Sequence, residues 1–464
     1  MVDVVPPVTA RRPELVLGVS SLAVLTVFLD TTALFVAFPD LAQSFPEVSS
    51  AQLSWVLNAY TIVFAALLVP AGKVADRVGH KRSFLVGVGL FMAGSLLSGL
   101  APNPTVLIGT RMVQAVGAAV LLPSSLALIL RAFPRERIPV AVAIWGATGA
   151  VAAALGPTLG AALVEWTSWR WVFYLNLPVG LFAVIVGSRV LLDSRQPETR
   201  LPAPGGVSLI AGAAALLSFG VVQSEQWGWV DGRTVAVLVA GAGLLVWFVA
   251  SQRRSEAPVL DLELFRIGNF AWGNAATLAF GLAFIAMFFG SILFLTEVWG
   301  WSILAAGFGI APGPLLVAVL APFMGRLAAR HGQRSLLIGG GLFFAAGGLW
   351  RLVALDGTVD YLVDYLPSMV LTGFGVAMCL PQLSSVTAQA LPPDRLGVGG
   401  AVNQAIRQFG GTFGVALTVA FLGQPAGVAE ALAGFDQIWM VLIVGGIGTA
   451  LLSLPLRTEP GAAP

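Results

Sequence analysis

Charge is what this sequence has least of. Only 10% of its 464 residues are Asp, Glu, Lys or Arg, 57% are hydrophobic, and the mean hydropathy is +0.88. A soluble domain of this length has no interior large enough for that much apolar surface, so the bilayer is its solvent. Cysteine is nearly absent: Cys379 stands alone, which excludes an internal disulfide, and it sits in an apolar run as a small packing residue. Lysine is scarce too. Neither Lys73 nor Lys81 lies in a G-x-x-x-x-G-K-[ST] loop, so no phosphate cradle for ATP is present and an ion gradient is the expected energy source. The two histidines, His80 and His331, stand far apart without His-x-x-x-His or Cys-x-x-Cys spacing. They read as loop residues, and neither a metal nor a cofactor is expected. No nucleophile, base and orienting group occur together, which argues against an enzyme. Nothing points to nucleic acid.

What is present is a series of apolar runs, each long enough to cross a hydrocarbon core of about 30 Å as a helix. A β-barrel would need short alternating segments and a polar lumen instead. Six runs come first: Leu15 to Phe38, Leu53 to Ala71, Phe84 to Leu100, Pro104 to Leu130, Val140 to Val164 and Trp171 to Val190. A linker with Asp193, Arg195, Pro197, Glu198, Arg200, Pro202 and Pro204 leads to two more, Val207 to Val222 and Thr234 to Ala250. The last six are Phe270 to Leu295, Leu304 to Phe323, Leu336 to Leu355, Leu366 to Thr387, Val398 to Leu422 and Ile438 to Leu454. The expected architecture is an all-α integral membrane protein of about fourteen transmembrane helices. It divides into a six-helix bundle (1–192), linkers with an inserted helix pair (193–268), and a second six-helix bundle with a tail (269–464).

Charge placement sets the orientation. With both termini inside, inner loops and tails hold 20 of the 25 Arg and Lys. The outer loops hold Arg170, Arg233 and Arg351, leaving Arg111 and Arg407 within spans. The 23 acidic residues divide evenly, 11 inside and 11 outside, with Asp30 within a span. The pair Arg11-Arg12 precedes a run that is long and interrupted at Asp30, which reads as a retained first helix rather than a cleaved leader. An internal repeat gives the same count. Gly72 to Lys81 (GKVADRVGHK) matches Gly325 to Arg334 (GRLAARHGQR) at a spacing of 253 residues, and Gly156 to Leu163 (GPTLGAAL) matches Gly410 to Leu417 (GGTFGVAL) at 254. Each match moves eight spans along. Two parallel six-helix halves flanking an inserted pair is a transporter plan, with its site between the halves.

These residues resemble the major facilitator superfamily, in particular its fourteen-helix drug/proton antiporter branch, over nearly the whole chain. The stretch containing Gly72, Asp76, Arg77, Gly79, Lys81 and Arg82 is similar to the superfamily's inner-loop motif, G-x-x-x-D-R-x-G-R-R in outline. Arg111 and Gln114, followed by Gly117, resemble a fourth-helix motif whose arginine and glutamine face the central cavity. Gly149, Gly156, Pro157 and Gly160 resemble the fifth-helix motif of antiporters, with Ala152 and Ala161 in place of two of its usual glycines. Asp30-Thr31-Thr32 before Pro39, the run Trp169 to Pro178, and Asn403, Arg407 and Gln408 before Gly410-Gly411 look like branch signatures. The resemblance implies a proton-coupled antiporter of the bacterial inner membrane. It would export hydrophobic or cationic drugs by alternating access, as a monomer without cofactor, its partners being substrate, protons and lipid.

The residues themselves assign the chemistry. Asp30, about eight residues from the outer end of its span, lies roughly 12 Å deep. Arg111, seven residues into span 4, lies at roughly 10 Å, so the two can meet. An intramembrane carboxylate beside an arginine is either a proton switch or a static ion pair joining two helices. Asn58 and Tyr60 in span 2, with Gln114, are candidates to add hydrogen bonds around it and line the cavity, or are plain interhelical packing. Glu225 and Glu297 fall at outer span ends, as interfacial residues or secondary proton sites. Asp76 is expected to accept from Arg77 or from a helix start and latch the inner gate, a role the second half lacks because Ala329 stands in its place. The basic residues also orient the chain on anionic lipid. The span 5 glycines with Pro157 suit a sliding joint or close static packing. Two other readings remain: a dedicated exporter of one endogenous metabolite or antibiotic, and a membrane scaffold or sensor without transport, to which costly intramembrane charges offer nothing.

Overall fold

The computed structural model describes residues 12–134, 137–195, 198, 200–392 and 395–458. Pro197 and the terminal stretches assigned to the inner side, Arg11 included, lie outside the described residues. Among the described residues there is no strand.

Thirteen helices are long and apolar enough to cross a membrane, and the 29-residue helix Ile138–Trp166 is the fourteenth. In chain order they are α1 (Pro13–Ser44), α2 (Ser50–Val78), α3 (His80–Gly99), α4 (Pro104–Ala132), α5 (Ile138–Trp166), α6 (Arg170–Val190), α7 (Pro204–Trp227), α8 (Gly232–Gln252), α9 (Gly268–Val298), α10 (Ile303–Ala328), α11 (Gln333–Ala354), α12 (Tyr361–Gln389), α13 (Val398–Leu422) and α14 (Val428–Ser453). The chain is a multi-pass, all-helical membrane protein.

Local chemistry sets the ends. Ser49, Asn103, Asp231 and Ser302 accept hydrogen bonds from first-turn amides, satisfying donors that a helix start leaves free. The Arg233 amide, bonded to the Asp231 carboxylate at 2.8 Å, holds that acid below its ordinary range. Gly79 (φ +119°) ends α2 and Gly332 (φ +81°) follows α10, two left-handed positions separated by the repeat spacing of 253 residues.

Several helices run past the expected spans. Pro39 lies inside α1 rather than stopping it, and α1 continues to Ser44. Asp30 is therefore fourteen residues from that end, about 21 Å rather than 12 Å at 1.5 Å per residue. The added turns are held by the loop before α6, where Asp40 Oδ2 accepts the Trp169 amide at 3.0 Å and Ser44 Oγ accepts Trp169 Nε1 at 3.1 Å, and Leu41 is buried beside Trp169 in the same apolar cluster.

Within the first six helices, α1 packs on α5, α2 and α3 pack on α4, and α1 and α3 both touch α6. Within the last six, α9 packs on α13 and α14, and α11 on α12 and α14. Small residues set the tightest of these contacts. A Cβ at Gly87 would stand 2.9 Å from the Leu121 amide nitrogen, and one at Gly94 2.6 Å from that of Gln114. Their repeat partners Gly340 and Gly347 lie at the corresponding contact of α11 with α12, where a Cβ would stand 3.1 Å from the Gly375 carbonyl and 3.0 Å from the Thr372 amide nitrogen. Backbones this close are the usual route to dispersion contact where lipid supplies no hydrophobic drive.

The two groups meet mainly through α2 with α13 and α5 with α10. Phe35 and Phe38 of α1 also pack against Phe289 of α9, tilted and edge-on, at 5.5 and 5.0 Å between ring centroids. The inserted pair packs on itself, and α7 also lies on α2 and α13.

Candidate functional site

Four helices of the first group bring their polar side chains to one carboxylate. Arg111 Nη1 on α4 donates to Asp30 Oδ2 at 2.5 Å. Gln114 Nε2, one turn further along α4, donates to Asp30 Oδ1 at 2.8 Å, and Asn176 Nδ2 on α6 donates to the same oxygen at 2.8 Å. Ser95 Oγ on α3 accepts from both amides, at 2.7 and 2.9 Å. Arg111 also donates to Gln114 Oε1 at 2.6 Å and to the Val56 carbonyl at 3.3 Å, with its guanidinium 4.1 Å above the Tyr60 ring. Asp30, Gln114 and Asn176 are fully buried, and Arg111 is 1% exposed.

Such a network is built for the ionised carboxylate. Three donors converge on its two oxygens, and among the described residues the one formal charge paired with it is Arg111. Protonation would cancel that pairing and leave a buried guanidinium without a counter-charge, so the two charge states favour different surroundings.

The expected ring of helpers is only partly right. Gln114 joins directly, and Tyr60 contributes its ring face. Asn58 takes no part: it is fully buried, and neither atom of its amide finds a partner among the described residues. The reason is angular: the Tyr60 ring lies under Arg111 of α4, whereas Asn58, two residues away, falls on the side of α2 that carries Thr61, whose hydroxyl is 2.9 Å from that of Thr412 in the other group. Ser95 and Asn176 were not singled out. Asn176 lies in the Trp169 to Pro178 run as its lone amide, a usable signal, whereas nothing marks Ser95 among the serines of its span.

At the inner end, Asp76 pairs with His80 rather than Arg77, Nε2 to Oδ1 at 3.3 Å. Gly79 breaks the helix between them, and the turn there brings His80, the first residue of α3, back beside Asp76, whereas Arg77 is exposed. His80 is accordingly not a loop residue: it opens α3 and is 3% exposed. His331 likewise ends a helix, Pro312–His331, although it is exposed. The inner end of α6 and the segment after it clasp this corner. His80 N donates to the Ser194 carbonyl at 3.2 Å, Lys81 Nζ to that of Ser188 at 2.7 Å, and Arg82 stands 3.8 Å from Asp193. The Asp193 carboxylate lies so close to Gly79 that a side chain there would collide with it. Gly72 lies against Pro123 of α4, 3.6 Å from where a Cβ would sit.

The α5 glycines line α1 beside the acid. Gly149 faces Phe28 at 3.7 Å, Gly156 abuts the Thr32 hydroxyl, and Gly160 would place a Cβ 2.8 Å from Ala33 Cα. The carbonyl of Pro157 turns the other way, 2.9 Å from a Cβ built at Gly307 of α10. In α13, Asn403 Nδ2 donates to Asn274 Oδ1 at 3.1 Å and Thr277 Oγ1 at 3.0 Å, joining α13 to α9. Arg407 is half-buried and donates to Gln404, while the Gln408 carbonyl accepts the Thr412 hydroxyl at 3.1 Å. Glu225 and Glu297 are exposed at helix ends.

Arg351 corrects the charge map. It lies inside α11, fully buried, and not in an outer loop: the expected span, Leu336 to Leu355, contains it, and its side chain turns into the helix bundle rather than toward the outer end. Nη1 donates to Ser291 at 2.7 Å and Nε to Ser368 at 3.1 Å, between the rings of Trp439 (4.8 Å) and Tyr365 (5.2 Å). Among the described residues it has no carboxylate partner.

Comparison with known proteins supplies the family. The multidrug resistance protein Stp of Mycobacterium tuberculosis is 34% identical over 411 residues, covering 88% of this chain and 75% of Stp. The cephamycin export protein CmcT of Amycolatopsis lactamdurans is 33% identical over 448 residues, 94% of this chain and 92% of CmcT. The crystal structure of a D-xylose-proton symporter superposes with a TM-score of 0.69 at 15% identity, covering 95% of this chain and 97% of that one, which is a likeness of fold. The Major Facilitator Superfamily model matches residues 20–415, and the chain belongs to that superfamily of membrane transporters.

Proposed function

We propose that this protein is a proton-coupled antiporter of a bacterial inner membrane, with both termini on the cytoplasmic side, exporting hydrophobic or cationic small molecules. The observation that carries the reading is the buried Asp30–Arg111 pair, 2.5 Å apart at the junction of α1, α3, α4 and α6. A charge buried in the membrane is costly and marks function by default. The relatives' names, multidrug resistance and cephamycin export, support export as the direction.

The proposed cycle alternates two charge states. With Asp30 ionised, Arg111, Gln114 and Asn176 fix α1 against α4 and α6. A proton taken from the outer side neutralises the carboxylate, and the released Arg111 then drives a rearrangement of α1 along the glycine face of α5. The first and last six helices, 1–192 and 269–464, move as two bodies with 193–268 carried between them. The proton leaves on the inner side as substrate loads. No cofactor or ATP takes part, and one chain suffices.

Inverted membrane vesicles with an imposed pH gradient test this through accumulation of a fluorescent cationic dye. Gradient-driven uptake that Asp30→Asn abolishes, with insertion intact, is the expected result; undiminished uptake by the mutant removes Asp30 as the coupling site. A second reading, a dedicated exporter of one endogenous antibiotic, is favoured by CmcT, whose name specifies a single compound class. A narrow substrate profile in the same vesicles distinguishes it.

A further inference from the structure

His80 stands where the family outline G-x-x-x-D-R-x-G-R-R has an arginine, and this chain's second copy of the stretch has Gln333 at the same place and Ala329 opposite it. The first copy alone therefore pairs an acid with a titratable base. Asp76 Oδ1 and His80 Nε2 are 3.3 Å apart, with the imidazole almost wholly buried and Asp76 about one-third exposed. Histidine is the side chain whose charge ordinarily changes between pH 5 and 8. An arginine here would keep the pair charged at every physiological pH, and a glutamine would never charge it.

We propose that His80 is a positioning residue that makes the inner gate respond to pH on the inner side. The proposal depends on reading residues 72–82 as that gate. With His80 protonated, its ion pair with Asp76 tightens the α2–α3 corner; with His80 neutral, a weak hydrogen bond is left and the corner loosens, which favours opening to load substrate from a neutral interior.

The groups around His80 permit this role. Asp76 comes from α2. From the segment after α6 come the Ser194 carbonyl, which accepts the His80 amide, and Asp193, which is occupied by the Ser194 amide at 3.1 Å and Arg195 at 3.3 Å and stands 3.8 Å from Arg82. On its own helix, Lys81 is engaged with the Ser188 carbonyl. Arg77 on α2, Arg131 at the inner end of α4 and Arg189 near that of α6 are exposed. His80 Nδ1 is buried and has no partner among the described residues, so the Asp76 contact is the one through which a change of charge is felt.

The test is amide hydrogen exchange of the 72–82 peptide in the full-length protein in nanodiscs, at pH 6 and pH 8. Wild type is compared at each pH with His80→Arg, His80→Gln and Asp76→Asn, which cancels the intrinsic pH dependence of exchange. Wild type is expected to be as protected as His80→Arg at pH 6 and as exposed as His80→Gln at pH 8. The gap between those two variants should be up to about fivefold, the scale of a partly exposed ion pair. In Asp76→Asn the pH 6 protection should be lost. Wild type tracking one histidine variant at both pH values overturns the proposal, as does an Asp76→Asn protein that keeps its pH 6 protection. The readout needs no transport, so a failure of the exporter reading leaves it interpretable.

Discussion

Asn176 donates to the carboxylate oxygen of Asp30 that Arg111 leaves free, at 2.8 Å across the α6–α1 contact. One acid is thus held by a cation on one oxygen and two neutral amides on the other. The amides fix geometry while the cation fixes charge, and the two roles separate by mutation.

Asn176→Ala removes one hydrogen bond to a buried charge, worth about 1.5–3 kcal/mol. Dye export should fall roughly tenfold and its pH profile should move, with membrane insertion unchanged. Asp30→Asn should instead abolish the response to the pH gradient altogether. Vesicle transport at several pH values separates the two, and an Asn176→Ala protein with wild-type rate and profile would show that α6 does not participate.

The α3–α4 seam predicts a stability difference between two glycines of one helix. At Gly94 a Cβ would lie 2.6 Å from the Gln114 amide nitrogen, whereas at Gly89 nothing stands within 4 Å. Gly94→Ala should force the helices apart, cost about 1–3 kcal/mol and displace Gln114 from Asp30. Gly89→Ala should be silent. Thermal unfolding in one detergent checks the pair, and Gly347→Ala should behave like Gly94→Ala on the other side of the repeat.

At Gly79 the obstacle is double. Its φ of +119° is a conformation that a side chain resists, and the Asp193 carboxylate fills the space. Gly79→Ala should lower stability by about 1–3 kcal/mol. Adding Asp193→Ala should recover only part of that loss, because it clears the collision and leaves the backbone strain. Complete recovery in the double mutant would mean that the backbone conformation is not under strain.

Legibility in the sequence followed periodicity and spacing. Fourteen apolar runs gave the fourteen helices, and the 253-residue repeat holds down to the contact glycines Gly87 and Gly340, because a duplicated interface needs small residues at duplicated positions. The meeting of Asp30 with Arg111 was readable as two charges at matching depth, and it holds although α1 runs on past the expected end of its span. The apolar run stops at Phe38, but Pro39 is an interior residue of α1, because Leu41 beyond it is still buried in the core and the Trp169 contacts hold the last turn. Facing was not readable. Asn58 and Tyr60 are two residues apart, and only the packing of α2 decides which of them turns to Arg111. Arg351 was misplaced for a similar reason: an arginine near a span end reads as interfacial until three other helices are seen to enclose it.

Arg351 and Arg111 make the sharpest contrast. Both guanidiniums are buried against aromatic rings, but only Arg111 has a carboxylate opposite it. Removing Arg111 strands Asp30 as an uncompensated buried charge, which costs about 3–5 kcal/mol. Removing Arg351 strands nothing: Ser291 still donates to the Met287 carbonyl at 2.5 Å and Ser368 to that of Tyr365 at 2.6 Å. Replacing an uncompensated buried cation with an apolar side chain of similar length is therefore expected to be neutral or stabilising. Arg351→Met should unfold at or above the wild-type temperature, and Arg111→Met well below it, when both are measured in the same detergent at pH 7. A comparable fall in the two variants would mean that Arg351 neutralises an acid as Arg111 does, and the charge balance of the second group would then have to include one.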